Sequence, residues 1–484
     1  MRDAATAGGA RRAPRSVLAL LAGVIALFAA CEPEPLAPPQ VLHELIVAVR
    51  PGPTTWFPGP DGAPAGFDHD LLERFAREQK LPLRVVIVDS ASKLLAQVAA
   101  GKAHIGAGGL FQGAPAVEDG SRTGTAPPAV LWTAGTYAVE PVLIYNRDSV
   151  RPSSFSDLEG ASVAYPEATG LDAQLATVRL THPEVQWKAM DVPSADALIA
   201  QVSDGSIDYA IVPSSDAAVA QNAYLDFEVA FTAGPRRLLA WAIAPSQRTL
   251  RDAIDAFISR MRADGTLARY AERNFSGVRR VERIDGEIFR DRIRNVLPQY
   301  RRHFEDAQAQ TGTEWRLLAA VAYQESQWDP FATSETGVRG LMQLTEDTAR
   351  ALGVADRLDA RASIHGAGRY LRALKDKLPA RIAEPDRTWL ALAAFNIGVA
   401  HLEDARILAQ KLKLNPDLWN DVRKALPLLA QPEYYADAKF GYARGGMPVA
   451  FVDRVRAYYD MLLRAEPGHS PRLRLTAGEP APPR

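Results

Sequence analysis

One cysteine in 484 residues leaves no partner for an intrachain disulfide and excludes a thiolate zinc cluster. An excess of either charge is also missing: 56 Lys and Arg stand against 57 Asp and Glu, a formal net charge of -1. That balance supplies neither a basic field for nucleic acid nor an acidic tail. Only one long uncharged apolar run occurs, so a multi-spanning membrane protein is excluded. The eight histidines include no His-Glu-x-x-His. There is no Gly-Lys-Ser/Thr phosphate loop and no Gly-x-Ser-x-Gly elbow. No metal or organic cofactor is implied. What remains is 47% apolar and 23% charged, which excludes wholesale disorder, collagen and low complexity. At roughly 150 residues per domain the length allows about three domains.

The single apolar run, Val17 to Ala30, is shorter than the roughly 20 residues a membrane span needs. Arg2, Arg11, Arg12 and Arg15 precede it and small residues close it, so residues 1–30 read as a secretory signal peptide. The sole cysteine falls at the expected cleavage point, in Phe28-Ala29-Ala30-Cys31. This resembles the bacterial lipoprotein box, with Phe28 where leucine is more usual, and it makes Cys31 the expected lipidation site. A plain signal peptide that happens to contain a cysteine is the alternative. Residues 31–41 form a tether containing Pro33, Pro35, Pro38 and Pro39. Glu32, in place of the aspartate that retains such proteins at the inner membrane, points to a lipid anchor in the outer membrane, facing the periplasm.

From 42 to 276 strand-like and helix-like stretches alternate. Leu45 to Val49 reads as a buried strand, Phe67 to Glu78 as a helix through Leu71, Leu72 and Phe75, and Leu83 to Val88 as a strand. That rhythm predicts a mainly parallel sheet with helices on both faces. An internal echo links Lys93–Gly106, KLLAQVAAGKAHIG, with Ala197–Ala210, ALIAQVSDGSIDYA. Each reads helix, glycine turn, strand, as two similar lobes would. The residues Asp61-Gly62, Gly66-Phe67-Asp68, Asp70-Leu71, Leu94 and Gly101-Lys102 resemble the bacterial family 3 solute-binding proteins. So do Asp157-Leu158-Glu159-Gly160, Val163, Gly170 and Ile207-Asp208. The resemblance implies two lobes closing on a small polar ligand, and a chain that returns to the first lobe through a helix near Leu250–Asn274. Gly108–Gly120 lacks the arginine that amino-acid binders carry there, and Pro213 stands where they place an acid. Both departures speak against a free α-amino acid. A domain that kept the fold without the ligand is the alternative.

Residues 277–287, polar and arginine-rich, read as a linker. From 288 to 465 helical spacings follow one another without strands: Pro298–Gln310, Glu314–Ser326, Ala362–Leu378, Trp389–Ala409, Asp421–Leu429 and Val449–Arg464. This predicts an all-α domain. The proline-rich stretch 466–484 reads as a disordered tail.

Leu317, Leu318, Val321 and Ala322 form an apolar stripe, and Glu325 continues it at helical spacing. A carboxyl at the end of such a stripe is partly desolvated and its pKa rises, which general acid catalysis requires. A glutamate satisfied by backbone or by an arginine such as Arg339 is the structural alternative. The surrounding residues carry more. Glu325-Ser326, Ala332, Ser334, Gly337, Arg339-Gly340-Leu341-Met342-Gln343 and Thr348-Ala349 resemble the soluble-lytic-transglycosylase-type lysozyme family. Trp389–Gly398, WLALAAFNIG, is similar to that family's Ala-Tyr-Asn motif, with Phe395 replacing tyrosine and Asn396 kept. Tyr442–Val452 also resembles the family, with Phe451 where a tyrosine is expected.

The resemblance implies the fold class: a two-lobed α/β periplasmic-binding-protein-like domain, non-catalytic and regulatory, followed by an all-α lysozyme-like domain. The implied activity is cleavage of the β-1,4 bond between N-acetylmuramic acid and N-acetylglucosamine in peptidoglycan glycan strands, leaving 1,6-anhydromuramoyl ends. Glu325 would be the catalytic acid and base. Ser326, Gly340, Met342, Gln343, Phe395 and Asn396 would bind substrate, with Gly340 letting backbone approach the sugar and Met342 and Gln343 lining the cleft. A wall-derived peptide is the implied ligand of the first domain. Two rivals stand. A hydrolytic lysozyme needs a second carboxylate, for which Asp329 and Asp347 are candidates. A binding protein would use the helical domain only to grip glycan.

Overall fold

The computed structural model describes residues 36–113, 130–275, 282–334 and 337–469. The signal peptide, Cys31, most of the tether, residues 277–281 of the linker and the tail beyond 469 lie outside the described residues.

The first half carries the strands β1 (Leu45–Val49), β2 (Phe57–Pro58), β3 (Pro64–Ala65), β4 (Leu83–Ile87), β5 (Ile105–Phe111), β6 (Leu131–Trp132) and β7 (Tyr137–Val139). Then come β8 (Pro141–Asn146), β9 (Ser162–Pro166), β10 (Gln186–Met190), β11 (Tyr209–Pro213), β12 (Phe227–Thr232) and β13 (Arg237–Ile243). Two sheets result. One runs β4-β1-β5-β13-β6, with β7 also on β13, and the other runs β10-β9-β11-β8-β12. In each, the first three strands are parallel and the next is antiparallel.

The internal echo is a topological repeat. Helix Ala91–Ala99 turns at Gly101 (φ 64°) into β5, and helix Ala195–Ser203 turns at Gly205 (φ 78°) into β11. Strands β1 and β9 hold the same place beside them. Every residue of β1 is buried because helices cover both faces. The return to the first lobe comes earlier than the sequence suggests. Strand β13 already makes it, and helices Arg248–Ala263 and Thr266–Phe275 pack beneath that sheet against Leu45, Val47 and Val49.

The second half is helical among the described residues. Helix Arg283–Asn295 begins inside the stretch read as linker, and Leu297–Thr311, Trp315–Ser326, Ala360–Lys377, Asp386–Ile397, Val399–Lys411 and Gly446–Ala465 form the main bundle. Where the sequence suggested one helix over Trp389–Ala409, the chain breaks at Gly398 (φ 89°). The start of the tail is docked. Glu466 pairs with Arg301 at 2.8 Å, and its carbonyl accepts from Arg316 at 2.9 Å.

The two halves share contacts. Ala223 and Leu225 of the second lobe belong to the helical core. Arg273 reaches both Asp70 and Asp386, Arg464 pairs with Asp196 at 3.1 Å, and the Tyr459 hydroxyl donates to the Gly59 carbonyl at 3.2 Å.

Candidate active site

Helix Trp315–Ser326 is built from good helix formers and is capped by Glu314, whose carboxylate accepts from the backbone N–H groups of Arg316 and Leu317. Every residue from Trp315 to Tyr323 is buried, so this is a central helix rather than one with a single apolar stripe. Arg316 is tolerated inside because Glu314 meets its guanidinium at 2.8 Å. Only the last turn emerges, and it carries Glu325, which is half-buried. Burial alone pushes the Glu325 carboxyl up to about 8. Arg339 is exposed and lends it no charge. Asp347 is exposed and pairs with Arg350, and Asp329 accepts from the Phe331 N–H at 2.9 Å. Neither aspartate perturbs Glu325.

The helix stops abruptly. Gln327 (φ 53°) and Trp328 (φ 62°) are consecutive left-handed residues, a conformation that costs about 1–3 kcal/mol for non-glycine residues. Trp328 sustains it by folding back under the helix, where its indole donates to the Ala319 carbonyl at 2.8 Å. The loop that follows is tied to the helix end by Ser326, whose hydroxyl lies 2.8 Å from the Leu341 carbonyl and 3.2 Å from that of Ala322. Ser326 therefore positions the loop rather than the carboxylate.

The same loop revises three expected roles. Gly340 (φ 80°) is required by the fold, because a Cβ there would lie 1.8 Å from the Arg357 carbonyl oxygen. Met342 is 0% exposed and packs in the core, so its side chain does not line a cleft. Gln343 (φ 45°) spends its amide on the carbonyls of Ala332 and Gly340, at 3.0 and 2.9 Å. These residues hold the loop beside Glu325.

A second group gathers around Asn396, which is exposed on the last turn of its helix. With Ile397, His401, Tyr442, Arg444 and Met447 it borders a pocket of about 330 Å³. Phe395 lies between Tyr370, 5.4 Å away, and Phe451, 6.4 Å away and nearly parallel at 7°. The two positions where tyrosine was expected are therefore neighbours. His401 was not foreseen, since it belongs to no motif, and Met447 was passed over inside the stretch Tyr442–Val452.

Residues 302–416 match the family model described as Transglycosylase SLT domain. The chain is 41% identical over 451 residues to membrane-bound lytic murein transglycosylase F of Methylobacillus flagellatus, covering 92% of this chain and 93% of that one. It is 42% identical over 458 residues to the protein of that name from Thiobacillus denitrificans, covering 94% and 95%. The chain belongs to the membrane-bound lytic murein transglycosylase F family. Among solved structures, ArgBP from T. maritima, in mutant form, aligns with 49% of this chain and 97% of its own, at 19% identity and TM-score 0.41. An amino acid ABC transporter substrate-binding protein from Streptococcus pneumoniae, bound to L-arginine, aligns with 49% and 96%, at 21% identity and TM-score 0.41. Among the described residues no helix is long and apolar enough to cross a membrane.

Likeness to transglycosylase F relatives spans both domains, so the crevice between the lobes belongs to the same account. Arg50 follows the C-terminal end of β1, the end where open α/β sheets place ligands. Its Nε and Nη2 donate to the Gly108 carbonyl at 3.0 and 2.7 Å, while Nη1 is buried without a partner. The cation missing from Gly108–Gly120 thus arrives from the neighbouring strand. The acid missing at Pro213 arrives three residues later as Asp216, which accepts from Thr54 across the crevice at 3.0 Å. Ser92 and Asp191 make a second cross-lobe bond of 3.2 Å. The space left at Arg50, Thr169 and Asp216 is about 10 Å³, so the lobes are closed. Asp68, beneath them, is pushed up to about 6 by burial despite the Trp241 indole at 2.8 Å. Strand-end position was the available signal for Arg50 and Asp216.

Proposed function

We propose that Glu325 performs both proton transfers of this murein lytic transglycosylase. Its protonated carboxyl donates to the glycosidic oxygen as the bond to the muramoyl C1 breaks. The resulting carboxylate takes the proton from the C6 hydroxyl as that oxygen bonds to C1. The acid is regenerated, water is not consumed, and a 1,6-anhydromuramoyl end is left. The substrate's own acetamido group stabilises the cation, so no second carboxylate is needed. The observation that supports this most is a carboxyl pushed up to about 8 by burial alone, with no other carboxylate acting on it. A hydrolase using Asp329 or Asp347 to activate water draws no support from that arrangement. Asn396 offers a donor and an acceptor to an acetamide at the neighbouring pocket.

The remaining parts follow the sequence. Cys31 carries the lipid that holds the enzyme at the outer membrane, facing the periplasm. On opening, the lobes take a small wall-derived peptide between Arg50 and Asp216 and modulate the helical domain. Mass spectrometry of digested sacculi tests the chemistry. Anhydromuramoyl ends are expected from the native enzyme, and loss of product from Glu325→Gln. Reducing muramic acid ends alone would move the enzyme to the hydrolases.

A further inference from the structure

A cavity of about 420 Å³ lies between the two domains and adjoins the crevice between the lobes, with Pro51, Gly52 and Ser194 bordering both. Its size is that of small-molecule sites, which run roughly 300–1,000 Å³. The first domain contributes Trp56, Phe57 and Pro58, and the helical domain contributes Trp389, Leu463 and Arg456. The other arginines around it are committed. Arg273 bonds Asp70 and Asp386, Arg316 bonds Glu314 at 2.8 Å, and Arg464 bonds Asp196 at 3.1 Å. Among the acids, Asp453 is bonded by Arg423 at 2.6 Å, and burial pushes the Asp460 carboxyl up.

Arg456 differs. No hydrogen bond to another described residue satisfies its guanidinium, and its nearest companion is the face of Trp389, 5.0 Å to the ring centroid. Asp453 and Asp460 act on it only through space. Arg456 is half-buried on the cavity wall, and an anion that supplies two acceptors would give its guanidinium the bonded partner it lacks.

We infer that this interdomain cavity binds a small organic carboxylate with an apolar body, the carboxylate on Arg456 and the body between Trp56 and Trp389. Because one wall comes from each domain, an occupant favours the docked arrangement over any in which the domains separate. The site adjoins the peptide site proposed at Arg50 and Asp216 but contains neither residue.

Titration calorimetry of the full chain with 3-phenylpropionate, and with its neutral amide, tests it. The acid is expected to bind and the amide to bind at least about tenfold more weakly. Arg456→Gln should weaken the acid about 10- to 100-fold, the range for a charge-assisted hydrogen bond. Arg456→Lys should restore part of the affinity, which separates loss of charge from loss of fold. Trp56→Ala, on the opposite wall, should also weaken binding, and Asp216→Asn should not. Failure of the acid to bind, equal binding of acid and amide, or unchanged affinity in Arg456→Gln would overturn the inference.

Discussion

Glu325 is useful to catalysis because the fold treats its charge badly. Its ordinary carboxyl value is 4.5, and burial carries it to about 8. Between those values the folded chain binds a proton that the unfolded chain releases, so stability is greatest below 4.5 and falls as pH rises to about 8. Glu325→Gln should therefore stabilise the protein at pH 8 by about 1–3 kcal/mol after allowance for partial solvent access, read as a higher melting temperature, and change its stability little at pH 4. The same variant should lose about 10²–10⁴-fold in activity on sacculi. Activity of the native enzyme should fall as pH rises through about 8, where the acid form is lost. A flat profile from pH 6 to 10 would contradict the assignment. Phe395 and Phe451 face each other, so the hydroxyls introduced by Phe395→Tyr and Phe451→Tyr should interact. A double-mutant cycle on activity should show coupling of about 0.5 kcal/mol or more.

The elements around the site show what sequence spacing conveys. Helix Phe67–Glu78 and strand Leu45–Val49 were legible to the residue, the helix by its one apolar face and the strand by an unbroken apolar run buried on both faces. Trp315–Ser326 was legible as a helix but not as a helix buried all round, since Arg316 and Glu314 look like surface residues until their mutual bond is seen. The break at Gly398 was missed because apolar spacing continues through it, and a glycine's positive φ leaves no trace in periodicity. Gly340 answers to a close approach that the sequence does not display. Its neighbour is the Arg357 carbonyl, seventeen positions along and invisible to local reading. Gly340→Ala should cost about 2–4 kcal/mol by urea unfolding, through clash and backbone strain together. A loss within 0.5 kcal/mol would show that the loop yields easily.

At the scale of the whole molecule, domain order was legible and domain contact was not. Arg273, Asp70 and Asp386 lie far apart in the chain, and nothing local marks them as partners. All three are largely enclosed, so removing the cation leaves two acids facing each other. Arg273→Met should cost about 3–5 kcal/mol and separate one calorimetric transition into two. A single unshifted transition would mean that the domains are held by other contacts. Cys31→Ala should release the protein from membranes, and absence of labelled palmitate on the native chain would remove the anchor.

The docked residues at the end of the last helix carry a practical consequence. Glu466 satisfies Arg301 and Arg316, and the His469 carbonyl accepts from Gln308 at 3.0 Å. A shortened chain ending at Ala465, where the helical pattern stops, would strip a buried guanidinium next to the helix that presents Glu325. Trimming for crystallisation, or fusing a reporter, is better done beyond 469. A protease that nips before Glu466 would dull the enzyme from well over a hundred positions along the chain, without touching Glu325 itself.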